Sequence, residues 1–214
     1  MPTSTHSRAP DAPPASPVLL QALHLSGGPG ARAVVHDLSF SWSAGLHAVW
    51  GDEGTGKTSL LRLLAGDLPP TGGQVVRPAD VFWLDLRGPQ HNETTVQACW
   101  DTLRHAHPRW DAALLEMLTD TLAMRPHLHK RLNMLSTGSR RKVMLLAALV
   151  AGARVTLLDQ VFVSLDAVSI GHVQSALAHA AAQARHENRA WIVADYDWPA
   201  TWPLTSALTS VLRL

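Results

Sequence analysis

Gly51-Asp52-Glu53-Gly54-Thr55-Gly56-Lys57-Thr58 places glycines, one lysine and one hydroxyl at the spacing G-x-x-x-x-G-K-[ST]. Glycines at those positions let the backbone curl, so that successive amide N–H groups face one centre and can surround a phosphate chain. Lys57, one of only three lysines in the chain, can bring its ammonium against the outer phosphates. The hydroxyl of Thr58 suits Mg2+, a hard cation that prefers oxygen ligands. A helix beginning at Thr58 and Ser59 aims its positive N-terminal end at the same anion.

A loop of this kind works only between a buried strand and a helix, and the flanks supply both. Leu46–Trp50 is a short apolar run, and Thr58–Ala65 has helical periodicity that stops at Gly66. A second chemical signal follows the same logic. The apolar run Arg154–Leu158 ends in Asp159. An acid at the end of a buried strand, beside a phosphate loop, is placed to hold the Mg2+ shell. Further strands are expected over 18–25, 33–42, 74–77, 80–86 and 190–194, and one or two more over 203–214. Helices are expected over 138–151 and 167–186. Over residues 93–135 apolar residues recur at helical spacing with no obvious strand, and the region reads as a helical subdomain. Strands alternating with helices imply an α/β fold with a mostly parallel sheet covered on both faces.

Composition sets the outer bounds. The chain has 214 residues, of which 46% are hydrophobic and 16% charged, enough for one domain with a substantial core. The formal net charge of +1 gives no electrostatic footprint for nucleic acid. Cys99 is the only cysteine, so no disulfide forms within the chain, which fits a reducing cytoplasm. No apolar run is long enough to span a bilayer. Residues 1–17, rich in Pro, Ser and Ala, read as a disordered tail. The tryptophans are scattered and read as packing residues. The pairs His105/His107 and His127/His129 face apart on a helix and do not suggest a metal site.

Between the loop and Asp159 stands Leu135-Ser136-Thr137-Gly138-Ser139-Arg140-Arg141-Lys142, followed by an Ala/Leu-rich helix. Ser164-Leu165-Asp166 comes just after Asp159-Gln160. In that order these segments resemble the phosphate loop, LSGGQ signature, Walker B acid and D-loop of ATP-binding cassette (ABC) ATPases. The resemblance covers roughly residues 18–200. It implies a P-loop NTPase with a RecA-like core, an antiparallel β lobe and a helical subdomain inserted at about 91–150. It also implies ATP and Mg2+ as ligands, ATPase activity, and a head-to-tail dimer with a second copy or another cassette. Each ATP would then lie between one subunit's loop and the other's Ser136 and Gly138. A separate transmembrane permease is the implied partner, with this chain peripheral on the cytoplasmic face of the cell membrane. Residues 85–100 would meet that partner, with Val96 and Trp100 as contacts. The small size and HPRWDAALLEML are similar to exporter-type cassettes.

Several positions depart from the family pattern. Gln160 stands where the family has its general base, and a neutral amide orients water but does not take its proton. The switch histidine expected after 190–194 is replaced by Asp195 or Tyr196. Asp85 stands where the Q-loop glutamine is expected, with Gln90 further on, and Asp85 is a candidate Mg2+ ligand. No aromatic ring near Leu25-Ser26-Gly27 can stack on adenine; His24 is nearest. The losses fall on catalytic positions and spare the phosphate-binding ones. The expectation is therefore a cassette that binds ATP and hydrolyses it slowly. The alternatives are a degenerate cassette acting as a regulatory or structural partner, a non-transport ABC ATPase, and a P-loop kinase.

Overall fold

The computed structural model describes residues 17–30, 33–86 and 88–214. The expected disordered tail, apart from Pro17, lies outside the described residues. Strands β1 (Val18–Gly27), β2 (Val35–Ser43) and β4 (Gly72–Val76) form an antiparallel sheet in the order β2-β1-β4. Strands β3 (Gly45–Trp50), β5 (Val81–Phe82), β6 (Val155–Asp159), β7 (Ala190–Asp195) and β8 (Leu208–Arg213) form a parallel sheet in the order β5-β6-β7-β3-β8.

The central strands β3, β6 and β7 are buried along their whole length, so their sequences are apolar without strict alternation. The pleat still sorts their side chains by face. Leu46, Ala48, Trp50, Leu158, Trp191 and Val193 enter one core, shared with the helical region. Val49, Val155, Leu157, Ile192 and Ala194 enter the other, beneath the antiparallel sheet and helix α1 (Lys57–Ala65). Because β3, β6 and β7 are parallel neighbours, Trp50 lies opposite Asp195, and Asp159 lies opposite Ala194. The phosphate loop, Asp159 and Asp195 therefore leave the sheet at one edge, the usual place for ligands in open α/β sheets.

Between β5 and β6 lie helices α2 (Val96–Ala106), α3 (Ala112–Thr121) and α4 (Thr137–Val150), with short 3-10 turns before α2 and between α3 and α4. Their starts are set locally. The side chains of Thr95, Asp111 and Ser136 accept from backbone amides of the first turn of α2, α3 and α4. Helix α5 (Ala167–Glu187) is capped in the same way by Asp166 and stops at Asn188 in the left-handed region. The end of the chain holds a short helix α6 (Pro203–Ser206) before β8.

The structure overturns two expectations. Residues 83–86 do not continue the strand expected over 80–86, because β5 pairs with β6 at Val81 and Phe82 alone. Val96 and Trp100 do not face outward for a partner; they are 0% and 2% exposed. The Trp100 indole N–H donates to the Val143 carbonyl at 3.0 Å and ties α2 to α4. Among the described residues no helix is long and apolar enough to cross a membrane.

Candidate functional site

The loop after β3 is wound on its own carbonyls. Thr55 donates from both amide and hydroxyl to the Asp52 carbonyl. Gly56 sits at φ 102°, a backbone that favours glycine, immediately before Lys57 opens α1. With no side-chain cap at Gly56, the first amides of α1 point at whatever approaches the loop. The sequence motif is thus realised as strand, turn and helix, and α1 carries no acid in its first turn to oppose an anion.

Lys57 is nearly enclosed, at 5% exposure. Its ammonium donates to the carbonyls of Gly51 at 2.5 Å and Asp52 at 2.6 Å. Thr58, one residue on, donates its hydroxyl to Asp159 Oδ2 at 2.7 Å, across 101 residues of sequence. That single contact joins the start of α1 to the end of β6. It pairs two hard oxygens, one of them anionic, and such a set fits a small divalent cation like Mg2+.

Around Asp159 the sheet edge is rich in carboxylates. A cavity of about 80 Å3 has Asp85, Asp159 and Gln160 in its walls together with Thr137, Arg140 and Arg141. Sequence reasoning singled out Asp85, Asp159 and Gln160 separately, and the fold brings them together. Arg141, which as part of the basic run Arg140-Arg141-Lys142 reads as a solvated face, joins them in the wall, and its positive charge favours ionised Asp195. Gln160 is held at φ 51° with its amide donating to the Ala194 carbonyl at 2.7 Å. Its position beside the Thr58–Asp159 pair is therefore fixed by backbone as well as by sequence.

Asp195 closes β7 and is buried; its carboxyl accepts from the Tyr196 amide at 2.9 Å. Burial pushes its pKa above the ordinary aspartate value, while the Tyr196 and Phe162 amides and Arg141 pull the other way. Between the ordinary and raised values the folded protein keeps a proton that the unfolded chain has lost. Stability therefore falls as pH rises through that window. Asp195→Asn is expected to raise the urea midpoint at neutral pH and to lose that advantage as the buffer approaches the ordinary aspartate range. A destabilisation that is the same at every pH would refute this.

Other expected site residues lie apart. Ser136 is the N-cap of α4 and exposed, accepting from the Ser139 amide at 3.1 Å. Gly138 faces the Ser164 carbonyl so closely that a β-carbon there would come within 2.3 Å. Neither Ser136 nor Gly138 is hydrogen-bonded to residues 51–58. Asp166 is committed to α5, accepting from the Ser169 amide at 2.8 Å and hydroxyl at 2.7 Å. Those bonds, the amide first, hold its carboxyl well below the usual range. His24 points to solvent and pairs with Asp37 at 2.8 Å. A larger groove, about 940 Å3, lies between α3 and α5 and contains none of the expected site residues.

A further feature was not legible in the sequence. Trp198 contacts Trp50, just before the phosphate loop, with ring centroids 6.0 Å apart, and Phe162, just after Gln160, at 5.8 Å. Trp202 adds a second edge-on contact to Phe162 at 5.0 Å. The segment after β7, which resists a helical reading, is thus an aromatic brace between the phosphate loop and the loop after Asp159. Scattered tryptophans give no such signal until the register of β3 against β7 is known.

A glycine loop on a central parallel strand, with an acid from a neighbouring strand bonded to its first helical turn, defines a P-loop nucleotide-binding protein. The comparisons narrow that class. The family model described as ABC transporter matches residues 35–163. The cytochrome c biogenesis ATP-binding export protein CcmA of Rhodobacter capsulatus is 36% identical over 172 residues, covering 77% of each chain. The protein of the same name from Sphingopyxis alaskensis is 30% identical over 151 residues, covering 70% of this chain and 77% of its own. A solved ATP-binding subunit of an ABC transporter superposes with a TM-score of 0.72 at 19% identity, covering 92% of this chain and 85% of that one. The chain belongs to the ABC transporter ATP-binding family.

Proposed function

We propose that this cassette binds Mg-ATP at residues 51–59 and hydrolyses it slowly, serving an export-type transporter whose membrane permease is a separate chain. The observation that carries the reading is the Thr58–Asp159 hydrogen bond beside the glycine loop. In this reading Gly51, Asp52, Glu53, Gly54, Thr55 and Gly56 surround the phosphates with backbone amides. Lys57 neutralises their charge. Thr58 and Asp159 hold Mg2+, with Asp85 nearby in the same cavity. When bound, Mg2+ would offset phosphate charge and favour one orientation of the triphosphate.

Slow turnover follows from Gln160, which supplies no proton acceptor where the family has one. Asp166 does not fill that role, since its hydrogen bonds make it a weak base. The names of the relatives from Rhodobacter capsulatus and Sphingopyxis alaskensis support export over import. An exposed Ser136 at the start of α4 supports a head-to-tail dimer, with a second copy or with a sister cassette that retains its base. Residues 18–214 form one cassette in this reading, and the helices between β5 and β6 support a helical subdomain at about 91–150.

The test is retention of labelled ATP by the purified protein in equilibrium dialysis, with and without EDTA. Retention is expected to need Mg2+ and to fall at least about tenfold in Asp159→Asn, since hydrogen bonds and contacts to charged groups contribute roughly 1.5–3 kcal/mol. Equal retention with and without the metal, or no effect of Asp159→Asn, would remove the assignment of Thr58 and Asp159.

A further inference from the structure

Tyr196 follows β7 directly, and the Lys57 ammonium lies 4.9 Å from its ring centroid. The two meet because β3 and β7 run parallel with Trp50 opposite Asp195. The loop after β3 and the residue after β7 therefore leave the sheet side by side. The Gly51 and Asp52 carbonyls accept from the ammonium, and the ring covers another side of it.

The ring is not there for burial, since Tyr196 is 42% exposed. What its face offers is the negative potential of an aromatic π-system, which attracts a cation. Its backbone is anchored on both sides. Asp195 is buried at the end of the strand, Asp197 accepts from Arg213 at 2.6 Å, and Trp198 is wedged between Trp50 and Phe162. Arg213 in turn lies over the Trp50 ring at 5.0 Å. These neighbours fix where the chain leaves β7, and from there the Tyr196 ring lies over the nearly buried ammonium.

We propose that Tyr196 is a positioning residue for Lys57: its ring holds the ammonium against the carbonyls of the loop, and arriving phosphates draw it away. This rests on the reading that residues 51–58 bind the phosphates of ATP. An ammonium has three donors on a flexible stem. Those already given to two carbonyls and a ring must be re-aimed when a phosphate arrives. The ring and the two carbonyls therefore compete with the phosphates for the ammonium, and so the ring sets nucleotide affinity.

The composition makes the test clean, because Lys57 is one of three lysines and Tyr196 is the only tyrosine. In protein labelled with 13C-lysine, the ε-methylene signal of Lys57 is expected to be displaced upfield by the ring, and Lys57→Arg identifies it by loss. Tyr196→Leu returns that signal to the position of an exposed lysine, and Tyr196→Phe keeps it displaced. Mg-ADP added to the unsubstituted protein moves it out of the ring's shielding. Tyr196→Leu also lowers the Kd for Mg-ADP by about 2- to 30-fold, the range of a cation–π contact. An undisplaced signal in the ligand-free protein, a displacement that survives Tyr196→Leu, or weaker nucleotide binding by Tyr196→Leu would overturn the proposal. Failure of the unsubstituted protein to bind any nucleotide overturns the phosphate-loop reading instead, since the ligand-free spectrum tests the ring contact alone.

Discussion

Replacing Lys57 with alanine is expected to weaken Mg-ATP binding by about 30-fold to several thousand-fold, corresponding to the roughly 2–5 kcal/mol lost when one partner of a hydrogen-bonded charge pair is truncated. Lys57 is the sole lysine of the loop, and Arg62, the nearest cationic residue along α1, is turned to Asp67 at 2.7 Å. The phosphates would keep the backbone amides and lose the ammonium. A stability control is needed, because Lys57→Ala also strips a donor from the Gly51 and Asp52 carbonyls. The Asp52 carbonyl keeps its bonds from Thr55, whereas loss of the donor to the Gly51 carbonyl can cost about 1–3 kcal/mol where that carbonyl stays dry. Urea unfolding of the variant separates the two effects. A folded Lys57→Ala protein with unchanged affinity would mean that the nucleotide does not use this loop.

The second large effect runs the other way. Gln160→Glu is expected to raise the single-turnover rate of ATP hydrolysis by about 10²- to 10⁴-fold, the usual contribution of a positioned general base. The substitution preserves shape, and the backbone at φ 51° fixes where the new carboxylate emerges. The cavity already holds Asp85 and Asp159, so an added charge is unwelcome, but Arg140 and Arg141 in the same walls offset it. A rate unchanged by Gln160→Glu would show that water is activated elsewhere or that the step is limited by something other than proton removal.

The phosphate loop was legible in the sequence because its chemistry is backbone chemistry. Glycines at Gly51, Gly54 and Gly56 dictate the curl wherever they occur between a strand and a helix. The same holds for Asp159, since an apolar run of strand length ending in an acid has few other meanings beside such a loop. The strands β3, β6 and β7 were legible for a related reason: sheets covered on both faces write themselves as uninterrupted apolar runs.

What the sequence hid depends on register and on which face of a helix is covered. Val96 and Trp100 have the spacing of an exposed apolar stripe as well as that of a core stripe, and only the packing of α2 on α4 decides between them. Tyr196 and Lys57 are far apart in the chain and meet through the pairing of Trp50 with Asp195. The brace of Trp50, Trp198 and Phe162 arises from the same pairing. Asp85 lies in irregular backbone after the two-residue strand β5, where no periodicity indicates direction. Its place beside Asp159 follows from the walls of a cavity that pattern alone does not describe.

Tight binding with slow turnover is tested most directly on the unsubstituted protein: excess cassette, trace γ-labelled Mg-ATP, and parallel readings of bound nucleotide and released phosphate. Slow turnover predicts that label is captured quickly and stays attached as intact ATP long after an ordinary transport ATPase would have released it. Failure to capture ATP, or prompt phosphate release that disappears in Lys57→Ala, would contradict it.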